Sequence, residues 1–329
     1  MGMEFTNTST KPNADHTYTK EVSRWSENAS LRAMMKANCN SILTYASPNQ
    51  PPVSVDSFLG DYTKPEFGLD DSFLLKTDDL EVSPLFKSGK PIKVLDFACG
   101  TGMLAEYLAP YFPAGSQFVG VDLSQSQLDI FDERMKEINS KNQNLDVKLY
   151  EYNIADDEFN KENNLKEPVE LIEGTFDLIY CSTAYHHFHD VETITKKLKT
   201  YLKKSDDAAL VILDLYYGDF ISKFKGQNNL NTDPEKPDPN NSVAHHGGFS
   251  PEMFQHFLTS DKIAFSKVKT GITFKPQQWI PEIGIRVFFN DNSLVDKFIA
   301  SAPPMRKNEA LNLQEYLVSG EMVIAVCWK

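Results

Sequence analysis

The run Val94-Leu95-Asp96-Phe97-Ala98-Cys99-Gly100-Thr101-Gly102 constrains this chain more than any other stretch. An apolar, β-branched segment enters a glycine turn, and a helical pattern opens at Met103. Strand, tight turn and helix in that order aim the backbone N–H groups of the turn at a polar or anionic ligand beyond the strand's carboxyl end. A turn with no ligand would use the same glycines, but Asp96 and Asp122 at two neighbouring strand tips favour a binding loop.

The loop sits in a region of repeating units. From about 91 to 215, short apolar runs alternate with charged helical runs. Ile92 to Phe97, Phe118 to Asp122, Val147 to Tyr150, Phe176 to Cys181 and Ala208 to Leu215 read as strands; Gln125 to Ile138 and Glu192 to Leu202 read as helices. Strands joined by helical crossovers imply a parallel, doubly wound α/β sheet. The spacing predicts one or two amphipathic helices between Tyr18 and Tyr45, so residues 1–89 read as an N-terminal helical extension, a cap or lid, and 90–329 as the sheet domain. Within that domain, 218–249 is expected to be a mobile loop and 275–320 an insertion. Ser250-Pro251 between them is a helix start, with proline in the first helical position.

Charge narrows the ligand. Gly100-x-Gly102-x-x-Ala105 also fits the dinucleotide pattern, and Asp122 meets its demand for an acidic residue about 20 positions further on. Asp96, however, would face a pyrophosphate across poorly screened space, which costs on the order of kcal/mol. The same carboxylate suits a ligand that carries an ammonium and a sulfonium, as S-adenosylmethionine does.

VLDFACGTG, the following FVGVDLS and the later FDLIYCSTAYHHFHD together resemble class I S-adenosylmethionine-dependent methyltransferases over about 90–215. The resemblance implies a Rossmann-like sheet of seven strands, mostly parallel, with the last strand, Met322 to Trp328, inserted antiparallel. It further implies that Asp96, Ala98, Gly100, Thr101 and Gly102 meet the methionine part of the cofactor and that Asp122 holds the ribose hydroxyls. Leu123 then flanks the adenine, and Asn153-Ile154 stands where the family often has an acidic residue and an apolar one. Tyr18-x-x-x-Val22-x-x-Trp25 resembles the helix that caps the cofactor in the small-molecule, ubiquinone-biosynthesis-like group, which puts Trp25 over the cofactor. Thr19 and Ser26 replace that helix's acidic residues.

The acceptor side is marked by histidines. His186, His187 and His189 follow the fourth strand, and His187 is taken as a substrate-side group. His245 and His246 end the 218–249 loop, where an imidazole suits proton removal near neutral pH. No His, Cys or carboxylate spacing suggests a metal site, and Cys99 reads as a small packing residue. A formal charge of −13 with no long basic run argues against nucleic acid as the main partner. No apolar run approaches the roughly 18 residues of a membrane span. Met1-Gly2-Met3-Glu4-Phe5-Thr6 fits the loose myristoylation pattern, but no polybasic stretch follows it. The expectation is a cytoplasmic methyltransferase acting on a small molecule, with a protein acceptor or a non-catalytic binding module as alternatives. The acceptor and the oligomeric state are not encoded in these motifs.

Overall fold

The structure, a computed structural model, describes residues 29–45, 82–140, 145–225, 243–308 and 312–329. Its strands are β1 (Lys93–Phe97), β2 (Gln117–Asp122), β3 (Asp146–Glu151), β4 (Leu178–Ser182), β5 (Ala209–Tyr216), β6 (Lys267–Phe274), β7 (Gln277–Pro281), β8 (Met305–Asn308), β9 (Leu313–Ser319) and β10 (Glu321–Trp328). Its helices are α1 (Ala29–Thr44), α2 (Pro84–Lys87), α3 (Met103–Leu108), α4 (Gln125–Ser140), α5 (Asp157–Glu162), α6 (Val191–Tyr201), α7 (Gly218–Lys225), α8 (Pro251–Thr259), α9 (Glu282–Phe289) and α10 (Asn292–Ala300).

Seven strands form one sheet in the order β3-β2-β1-β4-β5-β10-β6. β1 to β5 pair in parallel, and β10 runs antiparallel to both β5 and β6. The direction of β10 follows from its approach. The chain arrives from β9 through Gly320 at the end of the sheet where β5 finishes, pairing Glu321 with Tyr216, so it must run back.

The side-chain period of two sorts each strand between two cores. Val94, Phe118, Tyr180, Val211, Leu213, Ile324 and Val326 face one layer, where α1, α3 and α4 pack through Met34, Ile42, Met103, Leu104 and Phe131. Leu95, Val119, Ile179, Leu210, Ile212, Val323 and Ala325 face the other, against Ile194 and Leu198 of α6 and Phe254, Phe257 and Leu258 of α8. Each such buried side chain contributes about 1.5–3 kcal/mol. The helix starts are local: Ser250 caps α8 by accepting from the Met253 N–H at 3.2 Å, and Asp190 caps α6 through the Thr193 N–H at 2.8 Å.

The 275–320 insertion is a small antiparallel sheet, β7-β9-β8, with α9 and α10. Aromatic packing fixes it to the main domain. Phe289 stacks on Phe220 of α7 with ring centroids 4.7 Å apart, and Phe298 lies 4.9 Å from the same ring. The 218–249 segment is not one loop. Residues 218–225 form α7, residues 243–249 are hydrogen-bonded to the end of β5, and 226–242 lie outside the described residues.

Candidate active site

The glycine turn is held open by backbone geometry and by what lies behind it. Ala98, Gly100 and Gly102 all have positive φ, at 56°, 54° and 72°. A Cβ on Gly102 would come within 2.1 Å of the Phe131 ring, so α4 packs directly on the glycine. From the same helix, Arg134 donates through Nε to the Thr101 carbonyl at 3.1 Å and pairs with Glu106. Thr101 itself is buried.

Asp122, ending β2, accepts the Gly100 N–H at 2.8 Å on Oδ2 and the Ser124 N–H at 3.0 Å on Oδ1. Each oxygen keeps a further lone pair for a ribose hydroxyl. Loss of solvent raises its pKa, while the backbone N–H groups of Gly100, Ser124 and Leu123 pull it down. Asp96 is buried beside Gly120 and Tyr180 of the flanking strands, and the Tyr180 hydroxyl donates to its Oδ2 at 2.9 Å. Burial pushes the Asp96 pKa up to about 8; the Tyr180 hydrogen bond opposes this and the Asp122 charge adds to it. With no cation present the group therefore carries a proton at neutral pH, and an ammonium beside it favours the carboxylate.

Leu123 is half-buried next to Asp122, while Ile154 is buried in the α6-side core. Asn153 Oδ1 accepts the Ala155 N–H at 3.0 Å, which leaves one lone pair for an adenine amino group. Asn160 clamps the turn by accepting the Asn153 N–H at 2.9 Å and donating to its carbonyl at 2.7 Å, a contribution that sequence reasoning missed. Trp25 lies outside the described residues.

The histidines divide by burial. His187 is exposed, with its ring 4.1 Å from that of His186. The carboxylate-paired position belongs to His186, which is buried: its Nδ1 lies 2.6 Å from Oδ1 of the fully buried Asp214, and its backbone N–H donates to Oδ2 at 2.8 Å. Asp214 also accepts the Leu215 N–H at 2.7 Å. The carboxylate holds the proton on Nδ1 and leaves Nε2 as the acceptor. A signal for this pair was present in the sequence, since Asp214 is a lone carboxylate within the apolar run ALVILDLY.

His245 and His246 were expected on a closing loop, yet both are packed. The His245 backbone N–H donates to the His186 carbonyl at 2.9 Å, and its Nε2 lies 2.9 Å from the Phe188 carbonyl. Burial lowers the His245 pKa to about 4, which makes it a weak base. His246 reaches the Phe288 carbonyl through Nδ1 at 2.9 Å. The glycines behind them fix the segment: Tyr216 bridges to Gly248, the Tyr217 N–H donates to the Gly247 carbonyl, and a Cβ on Gly248 would lie 1.7 Å from the Leu215 carbonyl oxygen.

Above this edge the extension meets the insertion. Gln278 of β7 contacts Met34 of α1 through Nε2 and accepts from the Tyr217 hydroxyl at 3.3 Å. Phe288 of α9 packs on both Tyr217 and His186, with centroids 4.9 and 5.4 Å away. Among the described residues there is no group of three or more potential metal ligands, and no helix is long and apolar enough to cross a membrane.

Residues 95–205 match the methyltransferase domain family. An uncharacterized methyltransferase of Schizosaccharomyces pombe is 29% identical over 78% of this chain and 80% of its own length. Similar solved structures include YcgJ of Bacillus subtilis, 16% identical over 74% of this chain and 96% of that one with a TM-score of 0.43. Another is the plantazolicin methyltransferase BpumL in complex with S-adenosylhomocysteine, 13% identical over 96% and 92% of the two chains with a TM-score of 0.47. The left-handed turn, the two strand-tip carboxylates and the antiparallel β10 fit an S-adenosylmethionine site, and together with the match over residues 95–205 and the fission-yeast relative they support a class I S-adenosylmethionine-dependent methyltransferase.

Proposed function

We propose that the protein methylates a small molecule by in-line displacement and that His186 takes the proton given up by the acceptor's nucleophile. The bridge made by Gln278 supports the small-molecule reading: it ties α1 and Tyr217 to the insertion beside the carboxyl edge of the sheet. A folded protein surface could not easily pass such a bridge. A compact acceptor could.

Asp96, Asp122 and the 98–102 turn are the groups that would hold S-adenosylmethionine, which supplies a methyl group made electrophilic by its sulfonium. His186 Nε2 receives the proton, and the resulting imidazolium stays beside the Asp214 carboxylate. His187 and His246 belong to the acceptor side in this reading. His245, neutral above pH 5, is a positioning residue that holds the backbone of His186 and Phe188. In this reading the insertion and its aromatic side chains help to exclude water, and alignment of the nucleophile supplies several kcal/mol of the barrier lowering.

The test uses cofactor labelled in its methyl group, incubated with the protein and a cell extract. Label is expected in the small-molecule fraction, and His186→Gln should slow its appearance at least about a hundredfold while binding S-adenosylhomocysteine like the wild type. Label confined to acid-precipitable protein would overturn the small-molecule assignment.

A further inference from the structure

Among the described residues, two buried side-chain polar atoms have no hydrogen-bond partner: Asn38 Oδ1 and His245 Nδ1. The second is the lone pair of a neutral imidazole whose N–H is already engaged by the Phe188 carbonyl. The first lies at the sheet edge where the cofactor must sit. Asn38 is fully buried on α1, whose buried face also carries Met34, Met35, Cys39, Ile42 and Leu43. A buried carbonyl left unpaired is a net cost to folding. The helix tolerates that cost at one turn of its buried face.

The position of Asn38 indicates what it awaits. Its amide donates to Ser182 Oγ at 3.0 Å, and Ser182 ends β4. Two residues earlier on the same face of β4, Tyr180 donates to Asp96. Asp96, Tyr180, Ser182 and Asn38 therefore form a polar ladder that climbs one face of β1 and β4 towards the carboxyl edge. Asp122 stands on the far side, at the end of β2. With the ribose assigned to Asp122, the ladder belongs to the amino-acid end of the cofactor. That end carries a carboxylate, a sulfur and an ammonium, and only the ammonium can donate a hydrogen bond.

We propose that Asn38 is a cofactor-binding residue whose Oδ1 accepts from the α-ammonium of S-adenosylmethionine, beside Asp96. The proposal rests on the cofactor assignment above, and it gives the N-terminal helix a direct part in binding.

The experiment measures calorimetric affinities of S-adenosylhomocysteine and of its analogue lacking the α-amino group, for the full-length wild type, Asn38→Leu and Asn38→Asp. Asn38→Leu should weaken S-adenosylhomocysteine binding about ten- to a hundredfold, as expected for a lost hydrogen bond to a charged group. It should leave the deaminated analogue within about twofold. Its melting temperature without ligand should change little, because removing the unpaired carbonyl offsets the lost hydrogen bond to Ser182. Asn38→Asp, which keeps an acceptor, should retain the wild-type preference for the amino-bearing ligand. Equal weakening of both ligands, no weakening of either, or the same loss in Asn38→Asp as in Asn38→Leu would overturn the proposal. Wild-type protein that bound neither ligand would instead remove the cofactor assignment beneath it.

Discussion

His186 Nδ1 lies 2.6 Å from Asp214 Oδ1, and the same carboxylate accepts the backbone N–H of His186 and of Leu215, so one buried side chain sets both the ring's tautomer and the course of the loop after β4. His186→Gln and Asp214→Asn should each lower turnover by about 10²–10⁴-fold, the usual range for a positioned base. The double variant should be little worse than either single one, because the two residues act as a unit. Steady-state kinetics on the identified acceptor, with S-adenosylhomocysteine affinity as the control, decides it; additive losses would separate the pair.

Removing the Asp214 carboxylate altogether is a stability experiment. Asp214→Ala should cost about 3–5 kcal/mol in urea unfolding, because it leaves two backbone N–H groups and an imidazole N–H in the interior without their acceptor. A loss below 1 kcal/mol would mean that the pair contributes little to the fold.

Asp122→Ala should weaken S-adenosylhomocysteine binding by roughly 1.5–3 kcal/mol, the range for hydrogen bonds to a charged group. The Gly100 and Ser124 N–H groups also lose their acceptor, so the turn loosens. Unchanged affinity in a folded variant would take Asp122 out of the site.

Two buried groups tilt stability with pH in opposite senses. The folded-state pKa of Asp96 is raised from 3.8 to about 8, so between those values the native state binds more protons than the unfolded chain and stability falls as pH rises. His245, lowered from 6.5 to about 4, binds fewer, so its contribution is present above pH 6.5 and is lost as pH falls towards 4. Asp96→Asn should flatten the decline between pH 6.5 and 8, and His245→Asn should flatten the loss on acidification, both read from urea midpoints. An ammonium-bearing ligand favours ionised Asp96, so its affinity should rise with pH up to about 8 and release protons to the buffer.

Gly102→Ala combines a φ of 72° with a Cβ placed 2.1 Å from Phe131. Left-handed backbone strain of about 1–2 kcal/mol and overpacking of about 1–3 kcal/mol should together destabilise the protein by about 2–5 kcal/mol. Phe131→Leu, added to Gly102→Ala, should recover part of that loss. Absence of any recovery would place the cost in the backbone alone.

The elements that are legible in the chain itself are those whose causes lie within a few residues. Val94, Leu95 and their counterparts in β2, β4 and β5 are apolar on both faces, as a strand covered on two sides must be. Gly100 and Gly102 mark the left-handed turn because an L side chain is penalised there, and Ser250-Pro251 marks a helix start because cap and ring both act locally. Asp96 and Asp122 are readable as candidate cofactor groups because they lie at the carboxyl ends of adjacent strands beside that turn, Asp122 as the last residue of β2 and Asp96 as the last but one of β1.

Tertiary structure alone decides which distant groups meet. Nothing local distinguishes His186 from His187; the choice is made by Asp214, 28 residues away, which arrives only when β5 pairs with β4. His245 and His246 look like loop groups in a segment rich in asparagine and proline, but Gly247 and Gly248 let that backbone lie against the end of β5, and burial then removes their freedom. Asn38 reads as one polar residue on a helix until α1 crosses β4 and sets it against Ser182, 144 residues on. Turn and strand chemistry act over a few bonds, whereas the desolvation of a carboxylate, an imidazole or an amide depends on every element packed around it.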